Sequence, residues 1–149
     1  MSDSYIVSVT GIVVPPTRDA ILIGNRAKQE SFWAGERNRI ISERLEREDR
    51  DLIDALSRGF RTEAGVALDV SSALYLGDTR FSREDKHVFQ VCFGAIASSY
   101  PSPIPNTLEM VNQRFIDPTE LISILRSDDP YELKMKTWIT RARDIGLLR

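Results

Sequence analysis

Residues 55–66 read Ala-Leu-Ser-Arg-Gly-Phe-Arg-Thr-Glu-Ala-Gly-Val and end a segment with helical periodicity. Apolar residues stand at Leu52 and at one, four and eight positions beyond it, so they share one face of a helix. Acidic residues crowd the start of the segment, where negative charge suits the helix dipole. Gly65 stands where a left-handed cap would end a helix. The sequence therefore predicts a helix over residues 48–64.

Segments rich in β-branched and aromatic residues lie on both sides of this helix. The first two are separated by a Pro-Pro turn and predict a β-hairpin. Two further helices are predicted to begin at Asp117 and Asp129, because Asp can cap a helix and the Pro that follows suits the first helical position. The result is a mixed sheet with about three helices. The predicted strands cover residues 5–14, 20–23, 39–42, 70–76, 86–97 and 111–116.

Length and composition limit the function classes. A chain of 149 residues fits one domain, and a net charge of -2 gives no global positive field for a nucleic-acid backbone. We therefore expect no polymeric nucleic acid as partner. The single cysteine, Cys92, excludes an internal disulfide and fits a reducing compartment, so we expect a cytoplasmic protein. No segment approaches the roughly 18 uncharged apolar residues that a membrane span needs, so we expect no membrane anchor. The sequence leaves both a monomer and a homodimer open.

The helix, its flanking strands and its C-terminal motif together resemble the Nudix superfamily over nearly the whole chain, residues 1–149. Members typically carry G-x5-E-x7-R-E-U-x-E-E-x-G-U, with U aliphatic, and usually hydrolyse a nucleoside diphosphate linked to another group. Arg58 takes the motif Arg, Glu63 the second Glu of the pair and Gly65 the Gly. The resemblance implies an α/β fold in which a mixed β-sheet is flanked by helices, an α/β/α sandwich.

The end of the chain adds to this resemblance. The seven residues that begin at Phe115, Phe-Ile-Asp-Pro-Thr-Glu-Leu, are similar to the family's common Trp-x-Asp-x-x-Glu-Leu finish. Glu109 lies six residues before Phe115, where some members place a metal-binding or general-base Glu. The stretch that begins at Trp33, Trp-Ala-Gly, vaguely resembles the aromatic approach to the signature. Because of its spacing from Phe115, Glu109 is the second carboxylate that the resemblance assigns to the site.

Most of the family's metal-binding acids are missing from this chain. Gly59 and Thr62 stand where glutamates are expected, although acids at 59 and 63 would share a helix face about 6 Å apart. Asp54 lies roughly 13 Å from Glu63 along a helix, too far for a shared metal site. Glu63 and Glu109 remain the matched candidates. By resemblance they would bind one Mg²⁺ or Mn²⁺, with Arg58 orienting Glu63, and the substrate would be a nucleotide or another diphosphate-containing small molecule.

Other interpretations stay open beside this one. Glu63 can be a structural carboxylate paired with Arg58 or Arg61, and Glu109 can be a solvated loop acid. The chain can accordingly be a catalytically silent module that binds a nucleotide-like ligand or a protein partner. His87 and Cys92 each fit a structural position on a strand. Basic residues that could contact a phosphate precede the motif, namely Arg18, Arg26, Lys28, Arg37 and Arg39.

Overall fold

A computed structural model describes residues 5–27, 37–83, 85–99 and 102–149. Trp33 and Lys28, which entered the sequence predictions, lie outside the described residues. No helix within these ranges is long and apolar enough to cross a membrane. The elements in chain order are β1 (Tyr5–Val14), β2 (Ile21–Arg26), β3 (Asn38–Arg39), β4 (Ser42–Arg44), α1 (Leu52–Ala64), β5 (Leu68–Arg83), β6 (Lys86–Ala97), β7 (Met110–Ile116), α2 (Pro118–Ile124) and α3 (Pro130–Asp144).

The strands form two sheets. One has the order β4-β1-β6-β5 and the other the order β3-β2-β7. Strands β1 and β6 are parallel, in register from Tyr5 opposite His87 to Val14 opposite Ile96, while the remaining pairs are antiparallel. The predicted hairpin of the first two strands is wrong, because β4 and β6 pair with β1 and β2 lies in the other sheet.

Helices cover the sheets on two sides. Along β1, Val9 and Val13 pack with α1, whereas Ile12 and Val14 pack with α2 and α3. This division follows from the two-residue period of a strand, which points successive side chains to opposite faces. Both clusters are buried. The predicted α/β/α arrangement around a mixed sheet is confirmed.

Helix α1 begins later than the sequence predicted. Asp51 is its N-cap and accepts a hydrogen bond from the Asp54 backbone N–H at 2.8 Å. Residues 48–51 therefore precede the helix. The predicted C-terminal cap is confirmed: Gly65 adopts φ 66° and its N–H donates to the Arg61 carbonyl. The cap ends α1 two residues after Glu63.

Strand β5 is longer than predicted. It pairs with β6 from Leu68 opposite Ala97 to Arg83 opposite Lys86, with register shifts between Asp69 and Leu74 and between Tyr75 and Gly77. The Gly-Asp pair at 77–78, beyond the predicted strand, lies inside β5 at the second shift. A Cβ on Gly77 would stand 3.0 Å from Nε1 of Trp138, so glycine permits α3 to pack closely there.

Candidate functional site

Glu63 lies near the C-terminal end of α1 and faces the segment that precedes β7. Its carboxylate Oε2 accepts a hydrogen bond of 2.8 Å from the hydroxyl of Thr107. The amide of Gln113 donates to the Glu63 carbonyl at 2.7 Å and to the Ile104 carbonyl at 2.9 Å. These bonds fix the segment 104–113 against the end of the helix.

The same threonine hydroxyl brings Glu109 to this place. Oγ1 of Thr107 accepts hydrogen bonds from the backbone N–H groups of Glu109, at 3.3 Å, and of Met110, at 3.1 Å. The Glu109 carbonyl accepts a bond of 2.8 Å from the Ala27 N–H, and the residue is exposed. The hydroxyl of Thr107 therefore links the Glu63 carboxylate to the backbone of Glu109.

Arg58 points to the segment before the helix. Its guanidinium lies 2.7 Å from the Asp49 carboxylate and 3.2 Å from the Glu43 carboxylate, and it donates to the Arg44 carbonyl at 2.9 Å. Partial burial lowers the pKa of Arg58, but the bonds to Asp49 and Glu43 outweigh burial and raise that pKa above its usual value. The predicted orientation of Glu63 by Arg58 has no direct contact among the described residues, and a role for Arg58 in the site stays a prediction.

The helix face that lacks two acids is occupied differently at each position. The Thr62 hydroxyl donates to the Arg58 carbonyl at 3.0 Å, within the helix. At Gly59, a Cβ would lie 2.2 Å from Cγ of Glu43, a residue of β4. No acid along the helix replaces the missing glutamates, and Glu43 was not predicted because it belongs to a separate strand, β4. The one available signal was the isolated glycine, because a glycine inside a helical pattern often marks close packing.

Several of the basic residues that were proposed as phosphate contacts bind other residues of the protein. Arg18 donates to the Gly146 carbonyl at 3.0 Å, and both Arg37 and Arg39 lie 3.3 Å from the Asp129 carboxylate. Burial raises the pKa of Asp129, but Arg39 and backbone N–H donors outweigh it and hold that pKa below the usual range. Arg37 and Arg39 therefore anchor the start of α3, where Asp129 is the N-cap.

His87 and Cys92 both have side chains that pack against other residues of the fold. The His87 ring packs against Tyr5, with centroids 5.5 Å apart, and its Nδ1 lies 3.1 Å from the Ser82 hydroxyl. Cys92 is fully buried, and burial raises the pKa of its thiol well above the usual value. A protonated, inaccessible thiol is a poor nucleophile. The predicted burial of Cys92 is confirmed.

The donor set limits what metal the site could bind. Within the described ranges, no group of three or more His, Cys, Asp or Glu side chains is arranged to hold a metal ion. Glu63 and Glu109 offer carboxylate oxygens, which suit Mg²⁺ and Mn²⁺, and Mg²⁺ commonly completes its octahedral shell with waters and substrate phosphates. The residues therefore fit one cation held jointly with a ligand, and do not fit a site for two or three metals.

The architecture is shared with several solved structures. No protein-family model matches the chain, and no curated protein matches its sequence. A MutT protein from Methanosarcina mazei Go1 superposes with a TM-score of 0.73 at 14% identity, over 98% of this chain and 99% of that one. A NUDIX hydrolase from Alicyclobacillus acidocaldarius gives 0.74 at 12%, over 99% and 97%. The NUDIX domain of Shewanella oneidensis NrtR, complexed with ADP ribose, gives 0.73 at 13%, over 97% and 90%. At such identities the likeness concerns the fold.

Proposed function

We propose that this chain, which has the Nudix fold, hydrolyses the diphosphate linkage of a nucleoside-diphosphate-linked small molecule with the help of one divalent cation. One observation carries the proposal. Thr107 donates its hydroxyl hydrogen to the Glu63 carboxylate and accepts a hydrogen bond from the Glu109 backbone N–H, which supports a site to which both residues contribute. By resemblance, Glu63 and Glu109 are the two acids that would hold the cation.

The charges at this position suit a cation and a phosphate together. A diphosphate carries negative charge that two carboxylates would repel, so binding requires a positive ion between them. Mg²⁺ or Mn²⁺ would offset the charge of the phosphate oxygens and activate or orient a water molecule. Glu63 contributes an oxygen whose direction is fixed, because the bond from Thr107 holds its carboxylate. Glu109 is exposed and accessible to ligand.

The ligand class remains broad. A nucleotide sugar belongs in any test, because one protein of the same fold was solved with ADP ribose. Polymeric nucleic acid is not part of the proposal, since 20 basic and 22 acidic side chains leave no general basic surface. We place the reaction in the cytoplasm on the basis of cysteine usage alone. Monomer and homodimer are both compatible with the site.

The proposal is tested by turnover. The purified protein is incubated with dinucleoside polyphosphates, nucleotide sugars and nucleoside triphosphates, with Mg²⁺ or Mn²⁺, and released phosphate or nucleotide is measured. Glu63→Gln removes the charge and keeps the shape of the side chain, and Glu48→Gln is the matched control because Glu48 is exposed and precedes α1. Metal-dependent turnover that is lost in Glu63→Gln and kept in Glu48→Gln supports the proposal.

Two other results would contradict it. Turnover that survives Glu63→Gln would place the chemistry elsewhere. Absence of turnover with every substrate, together with ligand-induced thermal stabilisation, would support a module that binds nucleotide-like ligands without hydrolysing them. The replacement of two motif acids by Gly59 and Thr62 is the observation that favours this second function. A domain that only binds a protein partner would show neither turnover nor stabilisation.

A further inference from the structure

Glu43 fills the space that a side chain at position 59 would occupy. A Cβ built on Gly59 would lie 2.2 Å from Cγ of Glu43 and 3.3 Å from both its Cβ and its carboxyl carbon. The Glu43 side chain thus runs along α1 where a motif glutamate at position 59 would run. The chain therefore has glycine at the helix position and an acid on the neighbouring strand.

The backbone of Glu43 is fixed by the sheet. Glu43 is the central residue of β4 and stands opposite Val9 of β1. Strand β4 forms the outer edge of its sheet, and α1 packs against both β4 and β1. A side chain at this register position is directed to the helix by the two-residue period of the strand. The placement of Glu43 against Gly59 therefore follows from the fold.

The ion-pair cluster of Arg58, Glu43 and Asp49 has a net negative charge. Arg58 carries one positive charge and contacts two carboxylates, Glu43 at 3.2 Å and Asp49 at 2.7 Å. The Glu43 side chain is 22% exposed, so its charge would act on a solvated cation bound nearby. Positions 59 and 63 are one helical turn apart, roughly 6 Å. An acid above Gly59 consequently adds its charge close to Glu63.

We propose that Glu43 supplies, from β4, the negative charge that α1 lacks at position 59, and that this charge strengthens divalent-cation binding at Glu63 and Glu109. The inference rests on the proposed function. Because the described acids do not form a set of three that could coordinate one ion, Glu43 acts as a positioning residue through its charge and not as a direct ligand. The affinity of the chain for Mn²⁺ is the quantity that tests this role.

The test is a titration of the intact chain with Mn²⁺. The electron paramagnetic resonance signal of the free ion measures how much Mn²⁺ stays unbound. We expect Glu43→Gln to weaken Mn²⁺ binding by about tenfold, the scale typical of outer partners of a metal site. Asp49→Asn is the matched control, since Asp49 also binds Arg58 but does not lie over Gly59. A purely structural role through Arg58 would weaken Mn²⁺ binding equally in the two variants, whereas the charge role weakens it more in Glu43→Gln than in Asp49→Asn.

A double substitution tests the exchange of positions directly. Glu43→Gly combined with Gly59→Glu returns the acid to the helix and removes the side chain that would obstruct it. We expect this variant to regain Mn²⁺ binding that Glu43→Gly alone loses. Glu43→Asp, which keeps the charge, should bind Mn²⁺ better than Glu43→Gln. If Glu43→Gln does not fold, as judged by circular dichroism, the double variant and Glu43→Asp decide the question.

The outcomes separate this inference from the proposed function. Wild-type binding in Glu43→Gln, together with loss in Glu63→Gln, overturns the role of Glu43 and leaves the proposed site intact. Equal loss in Glu43→Gln and Asp49→Asn also overturns it. If Glu63→Gln binds Mn²⁺ as well as the wild type does, the proposed metal site fails and the role of Glu43 fails with it.

Discussion

Gly59 should tolerate a side chain only when Glu43 is removed. In an otherwise unchanged helix, Gly→Ala stabilises by about 0.5–1 kcal/mol, because alanine loses less backbone freedom on folding. Here the new Cβ would lie 2.2 Å from Cγ of Glu43, so that side chain has to move. Introducing a methyl group into a filled space typically costs about 1–3 kcal/mol. We therefore expect Gly59→Ala to destabilise the protein by about 1 kcal/mol, the difference between these two contributions.

Gly59→Ala should stabilise the protein instead of destabilising it when the Glu43 side chain is absent. In a Glu43→Ala background, Gly59→Ala should stabilise by about 0.5–1 kcal/mol, since only the helical gain remains. Loss of the contact between Glu43 and Arg58 adds little, because both side chains keep about a quarter of their exposure and such pairs are worth about 0–1 kcal/mol. The coupling free energy between the two positions is then about 2 kcal/mol.

Urea unfolding of the wild type, both single variants and the double variant measures this coupling. The midpoints are compared at constant m-value, so that changes in the unfolded state do not enter. A coupling free energy below about 0.5 kcal/mol, the range within which independent sites add, would refute the packing of Glu43 on Gly59. Stabilisation by Gly59→Ala in the wild-type background would refute it as well.

The remaining predictions concern the site, a helix cap and a buried ion pair. Thr107→Val removes the hydroxyl that binds Glu63 and the backbone N–H groups of Glu109 and Met110, and we expect about tenfold weaker Mn²⁺ binding in a titration together with a lower melting temperature. Gly65→Ala should destabilise the protein to urea by about 1 kcal/mol, because φ is 66° there. Asp129→Asn should cost about 3 kcal/mol at neutral pH, as loss of a buried partner does. Since the folded-state pKa of Asp129 is lowered, this cost should vanish as urea midpoints are measured at pH values falling through 3.8 and below.

Local signals were sufficient to predict the starts of α2 and α3 and the end of α1, whereas the start of α1 was predicted too early. Asp117 and Asp129 cap α2 and α3 through hydrogen bonds to backbone N–H groups within three residues, and a proline follows each. Gly65 ends α1 by its own backbone geometry. Each of these features involves neighbouring residues only, so the sequence contains all of the information that determines it.

Contacts between distant elements could not be predicted in this way. The pairing of β1 with β6 joins residues more than 80 positions apart, and it displaces the hairpin that proximity in sequence favoured. The approach of Glu43 to Gly59 depends on the register of β4 against β1 and on the docking of α1. Arg58 likewise contacts Asp49 because the residues before α1 fold back on the helix. Burial and register, which only the assembled fold determines, select these partners.

The hydrogen bonds that Thr107 makes with the Glu63 carboxylate and the Glu109 backbone are an intermediate case. The resemblance named both acids, but the sequence contained no indication that Thr107 would join them. Position 107 is not part of any motif whose spacing could be recognised in the sequence. Its importance comes from being close to the end of α1 and to the backbone that leads into β7.

A crystal structure with Mn²⁺ and a non-hydrolysable nucleoside diphosphate analogue tests the central claim most directly, because anomalous scattering locates the ion without ambiguity. We expect one anomalous peak within coordination distance of Glu63 and Glu109, bridged to a phosphate oxygen of the analogue, as hard oxygen ligands require. A peak at another position, or an analogue bound with no ion between these two carboxylates, would contradict the account.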